Sequence, residues 1–130
     1  AWPTDTRIAS MMAPSVLELG GGRQVAFGSG GSNRIRTALL QVASQLVDHG
    51  LSAAEAVEAA RLHVERGLVS IEPGFAEDAI AAAAQEGERL NRWPDRNMFF
   101  GGVHAVERLP DGTVRGAGDP RRGGVAAVLT

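Results

Sequence analysis

Cysteine is absent from the 130 residues of this chain. Disulfides and thiolate metal sites are therefore excluded, while the redox compartment stays open. A basic stripe is also lacking: 13 Lys and Arg are scattered along the chain, 15 Asp and Glu offset them, and the net charge is −2. That balance argues against binding nucleic acid or an anionic membrane surface. No apolar run approaches the length of about 20 residues needed to span a bilayer. The chain opens Ala1-Trp2-Pro3-Thr4 with neither an initiator methionine nor a signal peptide, so it reads as a piece of a processed or cut precursor.

What remains is a chain of one domain at most, able to bury about two-thirds of its unfolded surface. The 17 glycines fall at junctions rather than in a low-complexity tract, and no internal repeat is visible. Ser15–Leu19 and Gln24–Phe27 read as short strands joined by the glycine-rich loop Gly20-Gly21-Gly22-Arg23. Ile35, Leu39, Val42 and Leu46 recur at helical spacing. Leu40 and Val47 widen that surface and predict a helix buried on more than one side, capped by Ser32 or Asn33 and ended by Gly50. Ser52-Ala53-Ala54-Glu55 fits a capping box, opening a second helix that runs to about Ala60.

Arg61–Glu65 and Leu68–Glu72 alternate as strands before the Pro73-Gly74 break. Glu77 and Asp78 then suit the first turn of a third helix, whose inner face would be Ile80, Ala83, Ala84 and Gly87. Val103–Leu109 and Thr113–Ala117 pair around the turn Pro110-Asp111-Gly112, and Val125–Leu129 reads as a last strand. The fold class is α+β.

The run Phe27-Gly28-Ser29-Gly30-Gly31-Ser32-Asn33-Arg34-Ile35 is the main chemical signal. Glycine between a strand and a helix lets bare backbone N–H groups approach an anion at the positive end of the helix dipole. The run lacks the Gly-Lys pair of a Walker loop, the third glycine of a dinucleotide fingerprint and the first glycine of an esterase elbow. What it can offer is an N–H nest for an oxyanion or carboxylate; a plain strand-to-helix turn is the local alternative. His49, His63 and His104 have no acidic or histidine neighbour at metal-ligand spacing, so no metal and no cofactor is expected. Asp119-Pro120-Arg121-Arg122 reads as a turn with either an Asp–Arg pair or solvated charges, the latter favoured on local grounds alone.

Taken in order, Arg7…Ser10-Met11-Met12-Ala13-Pro14, the Gly28–Ile35 run, Asp48-His49-Gly50-Leu51…Ala54-Glu55-Ala56-Val57, Arg61-Leu62-His63 and Gly112–Arg121 form a succession. It resembles the C-terminal part of the small subunit of the γ-glutamyltransferases, and it covers nearly the whole of 1–130, read as a single partial domain. The resemblance implies part of a four-layer αββα N-terminal nucleophile hydrolase sandwich, incomplete alone. It implies an autoproteolytic precursor, a heterodimer with a large subunit, and export to the periplasm or medium. The freed N-terminal threonine of the small subunit would attack a γ-glutamyl or related acyl amide, its own amine acting as base.

The resemblance places the oxyanion-hole pair within Gly30-Gly31-Ser32. Ungapped, Gly31 and Ser32 occupy the two glycine places of the family run, whereas the literal Gly-Gly pair is Gly30-Gly31. Gly31 is therefore the first candidate, Gly30 the second and Ser32 the third. Ser10 matches the first of two serines that hold the glutamyl α-carboxylate; the second is Met11, whose thioether is a poor substitute and favours a related acyl donor. No threonine here stands in the nucleophile context, so the large subunit and a further N-terminal segment of the small subunit are implied partners, with no role for nucleic acid or membrane. Two other readings stand beside this one: a non-catalytic domain that binds a small carboxylate, and a serine hydrolase using Ser29.

Overall fold

The computed structural model describes residues 3–84 and 89–128. Its first sheet is antiparallel, with β1 (Ser15–Glu18), β2 (Gln24–Gly30), β6 (Gly102–Arg108) and β7 (Val114–Ala117) in the order β1-β2-β6-β7. The second sheet has β3 (Leu62–Glu65) antiparallel to β4 (Leu68–Ile71), and β5 (Arg89–Arg92) parallel to β4. Three helices complete the fold: α1 (Ile35–Val47), α2 (Ala53–Glu58) and α3 (Glu77–Ala84).

Alternation along the strands decides what is covered. Val25, Phe27, Val103, Ala105 and Ala117 point to one face and pack against Ile35, Ala38, Leu39, Val42 and Leu46 of α1 and Ala53, Ala56 and Val57 of α2. The other face carries Val16, Ala26, Val106 and Gly116, aligned across the sheet by register. That face is apolar yet open: Val16 is 69% and Val106 51% exposed. Residues Val125–Ala127 run along it, beside a cavity of about 620 Å³.

The capping box forms as expected. Ser52 Oγ accepts from the Glu55 N–H at 3.3 Å, and Glu55 returns a carboxylate oxygen to the Ser52 N–H at 2.9 Å. At the end of α1 the Leu51 N–H closes on the Gln45 carbonyl at 3.0 Å, around Gly50. The Pro110-Asp111-Gly112 hairpin also forms, Arg108 lying opposite Val114.

Several expectations fail. Neither Ser32 nor Asn33 caps α1; its first residue follows Arg34, which makes no side-chain cap, and Asn33 Nδ2 instead reaches Glu65 Oε1 at 3.3 Å. Leu40 and Val47 are 69% and 55% exposed, so only one face of α1 is buried. Helix α2 stops at Glu58, because the chain must turn extended to deliver Arg61 into the interior. Val125–Val128 form no strand; a Cβ on Gly116 would meet the Ala126 Cβ at 2.7 Å, so this segment crosses β7 rather than pairing with it. Ile80 is buried as expected, whereas Gly87, Leu129 and the side chains of 83 and 84 lie outside the described residues.

Candidate active site

Strand β2 continues through Gly28 and Ser29 to Gly30, so the turn into α1 is shorter than the sequence suggests and comprises residues 31–34. It opens at Gly31, whose φ of +138° is reserved in practice for glycine. The N–H groups of Gly31, Ser32, Asn33 and Arg34 donate to no acceptor among the described residues, while the Ser32 carbonyl accepts from Ile35 N–H at 3.0 Å. Successive free donors at the start of a 13-residue helix form a site of positive potential.

Gly31 and Ser32 line a cavity of about 410 Å³ together with Arg34, Trp93, Phe99 and Arg122. Arg34 lays its guanidinium over the Phe99 ring, 4.1 Å from the centroid, and Trp93 stacks on Phe99 at 4.9 Å. Arg122 comes from the turn at Pro120–Arg122 and lies beside both candidate glycines. A Cβ built on Gly30 would stand 3.7 Å from Arg122 Nη1, and one on Gly31 3.5 Å from Nη2. Its aliphatic stem crosses Gly102, where any side chain would overlap it.

Ser10 and Met11 do not line this cavity. They sit exposed in the irregular segment before β1, where Ser10 Oγ accepts from the Met12 N–H at 3.1 Å. Antiparallel pairing of β1 with β2 nevertheless directs that segment along the Gly30 end of β2: Ser15 lies opposite Phe27, and the Pro14 Cα is 4.0 Å from where a Gly28 Cβ would stand.

Ser29 is engaged structurally. Its hydroxyl donates to the Gly30 carbonyl at 3.1 Å and accepts from the Gly102 N–H at 3.3 Å, with no histidine on it. His49 is exposed at the end of α1, and His104 Nδ1 accepts from the Asp119 N–H at 3.3 Å. His63 is buried against Thr37, whose hydroxyl is 2.9 Å from Nδ1. None of the three lines the cavity beside Gly31.

The support beneath this site is a buried cluster of four charges. Arg121 Nε donates to Glu72 Oε1 at 2.8 Å and Nη2 to Oε2 at 2.5 Å, a two-pronged pair. Its remaining N–H groups reach Asp119 at 3.3 Å and the carbonyls of Val57 and Ala59 at 3.0 and 2.8 Å. Arg61 pairs with the other Asp119 oxygen at 2.7 Å. Burial pushes the Asp119 carboxyl up, but Arg61 and the N–H groups of Arg121 and Val103 together outweigh it and hold it below its ordinary value. Burial, then repulsion from Arg121, lowers Arg61; Arg121 is raised because Glu72 and Asp119 more than offset its own burial. Of the two alternatives for Asp119–Arg122, the Asp–Arg pair forms between Asp119 and Arg121, both buried, while the favoured reading of solvated charges holds only for Arg122, which is exposed. This cluster fixes the turn that presents Arg122.

The sequence reading missed Arg122, Trp93 and Phe99 as members of the site, and took Arg34 only as part of the glycine run. Their signals were a second arginine after Asp-Pro-Arg, and an aromatic group at residues 93, 99 and 100 in a chain with only 6 Phe and Trp.

Comparison with known proteins then gives the family. The Gamma-glutamyltranspeptidase family model matches residues 1–129. The chain is 33% identical over 124 residues to the Acylase ACY 1 proenzyme of Pseudomonas sp. (strain V22), covering 95% of this chain and 22% of that protein. It is 31% identical over 117 residues to the Glutathione hydrolase proenzyme of Escherichia coli (strain K12), covering 88% and 20%. The chain therefore spans about a fifth of the length of these curated relatives. Among solved structures, the Bacillus anthracis transpeptidase CapD superposes with a TM-score of 0.80 at 26% identity, over 97% of this chain and 75% of that one. A gamma-glutamyltranspeptidase from Pseudomonas nitroreducens, complexed with L-DON, gives 0.76 at 28% identity, over 100% and 68%. By sequence and fold alike, the chain belongs to the gamma-glutamyltranspeptidase family.

Proposed function

We propose that this chain is part of an amidohydrolase that transfers or hydrolyses γ-glutamyl or related acyl groups, and that it supplies the oxyanion hole and part of the substrate pocket. The observation that carries this reading is the row of free N–H groups from Gly31 to Arg34, opening directly off Gly30 in a chain of this family. A substrate carbonyl seated beside Gly30 and Gly31 would gain the free Gly31 N–H as a donor when its oxygen becomes negative, a contribution worth about 3–4 kcal/mol in the transition state. Ser32, exposed at the rim, and Ser10 would hold the carboxylate end of the acyl group, with Met11 alongside. The nucleophile would be an N-terminal threonine outside these 130 residues, freed by cleavage of a precursor. It would attack the amide carbonyl, expel the amine and leave an ester that water or a second amine resolves.

The open face of Val16, Ala26 and Val106 supports a partner subunit. An apolar sheet face of this kind is what a second sheet covers in a sandwich, about 10 Å away.

The test uses the complete protein. Release of p-nitroaniline from γ-glutamyl p-nitroanilide and from glutaryl p-nitroanilide is followed, with intact-mass analysis for a covalent acyl adduct. Turnover of either donor with a single acyl adduct is expected. No turnover and no adduct, together with micromolar binding of glutamate by calorimetry, would establish the non-catalytic carboxylate-binding reading instead.

A further inference from the structure

The Ser29 hydroxyl bridges two backbone groups where β2 ends against β6. It accepts from the Gly102 N–H at 3.3 Å and donates to the Gly30 carbonyl at 3.1 Å. Gly30 and Gly102 face each other as the last pair of that ladder. Room for the hydroxyl is left by Gly101. A Cβ there would stand 3.1 Å from Ser29 Oγ and 3.1 Å from the Ala38 Cβ, and its φ of +85° favours glycine in any case.

The Gly30 carbonyl belongs to the same peptide unit as the Gly31 N–H. That unit is planar and trans, so its oxygen and its hydrogen point in opposite directions. A hydroxyl holding the oxygen on the β6 side therefore aims the N–H the other way, toward the side of β2 that carries β1. Strand β1 pairs no further than Ser15 opposite Phe27, so no β1 carbonyl takes up that N–H. The unit is also flanked by glycine at both ends. Rotation about ψ of Gly30 and φ of Gly31 meets no side chain, and an unanchored peptide here would swing. A donor that swings is not preorganised, and preorganisation is what gives an oxyanion hole its effect. The hydroxyl also polarises the peptide: Gly102 N–H to Ser29 to Gly30 carbonyl is a chain of bonds, and such chains strengthen the donor at their end.

We propose that Ser29 is a positioning residue of the oxyanion hole, locking the Gly30–Gly31 peptide with its N–H presented to the substrate oxygen; this rests on the acyl-transfer reading above. Ser29 touches no reacting atom and moves no proton. Its hydrogen is committed to the Gly30 carbonyl, which separates this role from that of a serine nucleophile. Gly101 belongs to the device, because it leaves the space in which the hydroxyl sits.

The experiment uses the complete enzyme with γ-glutamyl p-nitroanilide as donor, or the glutaryl anilide if that is the better one. Ser29→Ala deletes the hydroxyl. Ser29→Thr and Ser29→Val form a second pair, equal in shape and differing in the hydroxyl, and they decide the matter if the alanine variant does not assemble. Three quantities are read: kcat/KM, inhibition by the donor analogue with a boronic acid in place of the amide, and inhibition by α-aminobutyrate (butyrate for the glutaryl donor). The boronate forms a tetrahedral adduct that resembles the transition state. Aminobutyrate keeps the carboxylate and carbon chain but has no oxygen for the hole. Ser29→Ala should lower kcat/KM about tenfold and weaken the boronate by a similar factor, the equivalent of one hydrogen bond. Aminobutyrate should bind within about twofold of the wild type. Ser29→Thr should stay within about threefold of the wild type, and Ser29→Val should fall with Ser29→Ala. Unchanged kcat/KM and boronate affinity in the variants lacking the hydroxyl overturn the proposal, as does an equal loss for aminobutyrate, which would mark general damage to the pocket. Either result leaves the acyl-transfer reading standing. No acyl release by the wild type overturns both.

Discussion

Replacing Arg121 by leucine should strip the interior of its principal cation. Its guanidinium holds both Glu72 oxygens at 2.8 and 2.5 Å, one Asp119 oxygen at 3.3 Å and two backbone carbonyls at 3.0 and 2.8 Å. Glu72, Asp119 and Val57 are buried, so no water replaces the donors these groups lose. Breaking a buried pair on one side costs about 3–5 kcal/mol because the surviving charge is uncompensated. Glu72 still accepts from the backbone N–H groups of Arg61 and Asn97, and Asp119 still has Arg61, so the lower half of that range applies, about 3–4 kcal/mol. Hydrogen exchange on the complete protein reads this locally. Amides of 57–72 and 119–122 should exchange about 10²–10³-fold faster than in the wild type. A change below about threefold would refute the claim that the four charges act as one buried support.

Ser52→Ala removes one side of the capping box and should cost about 1 kcal/mol, seen as faster exchange in α2 with the rest of the fold unchanged. Acid should weaken the junction around Asp119. Its folded value lies below the ordinary 3.8, so its stabilising contribution is complete above that value and lost as pH falls through the lowered one; Asp119→Asn should abolish this part of the acid sensitivity in a pH series of melts. Met11→Ser restores a hydroxyl donor beside Ser10 and should raise kcat/KM for a γ-glutamyl donor by about fivefold or more relative to a donor lacking the α-carboxylate. An unchanged preference would take Met11 out of the acyl pocket.

What could be read from the sequence was what short-range chemistry decides. The Ser52 capping box, the Pro110-Asp111-Gly112 hairpin and the apolar stripe of Ile35, Leu39, Val42 and Leu46 each depend on neighbours within a few residues, and each appears in the fold. Strand β5, Arg-Leu-Asn-Arg, carries no apolar pattern; it exists because β4 offers it a parallel edge, and that is not a local property. The buried charges were missed for the same reason, since Arg121 meets Glu72 across 49 residues. Leu40 and Val47 show the reverse error: apolar residues on a helix widen its pattern with nothing among the described residues to cover them. At the site, the glycine run announced the N–H nest, but only the fold shows that β2 claims Gly30 and that the free donors begin at Gly31.

The most direct test of the oxyanion role is kcat of Gly31→Ala in the complete enzyme, measured with the acyl donor that it turns over. Residue 31 is exposed and a new Cβ would meet only the Arg122 guanidinium at 3.5 Å and Ile35 at 3.8 Å, so space is not the obstacle. The φ of +138° is: alanine must leave it, and the N–H then turns away from the carbonyl oxygen. The account predicts a fall in kcat of about 10²–10³-fold with the enzyme still folded and assembled. A kcat within about threefold of the wild type would contradict it, since even one oxyanion donor is worth far more than that.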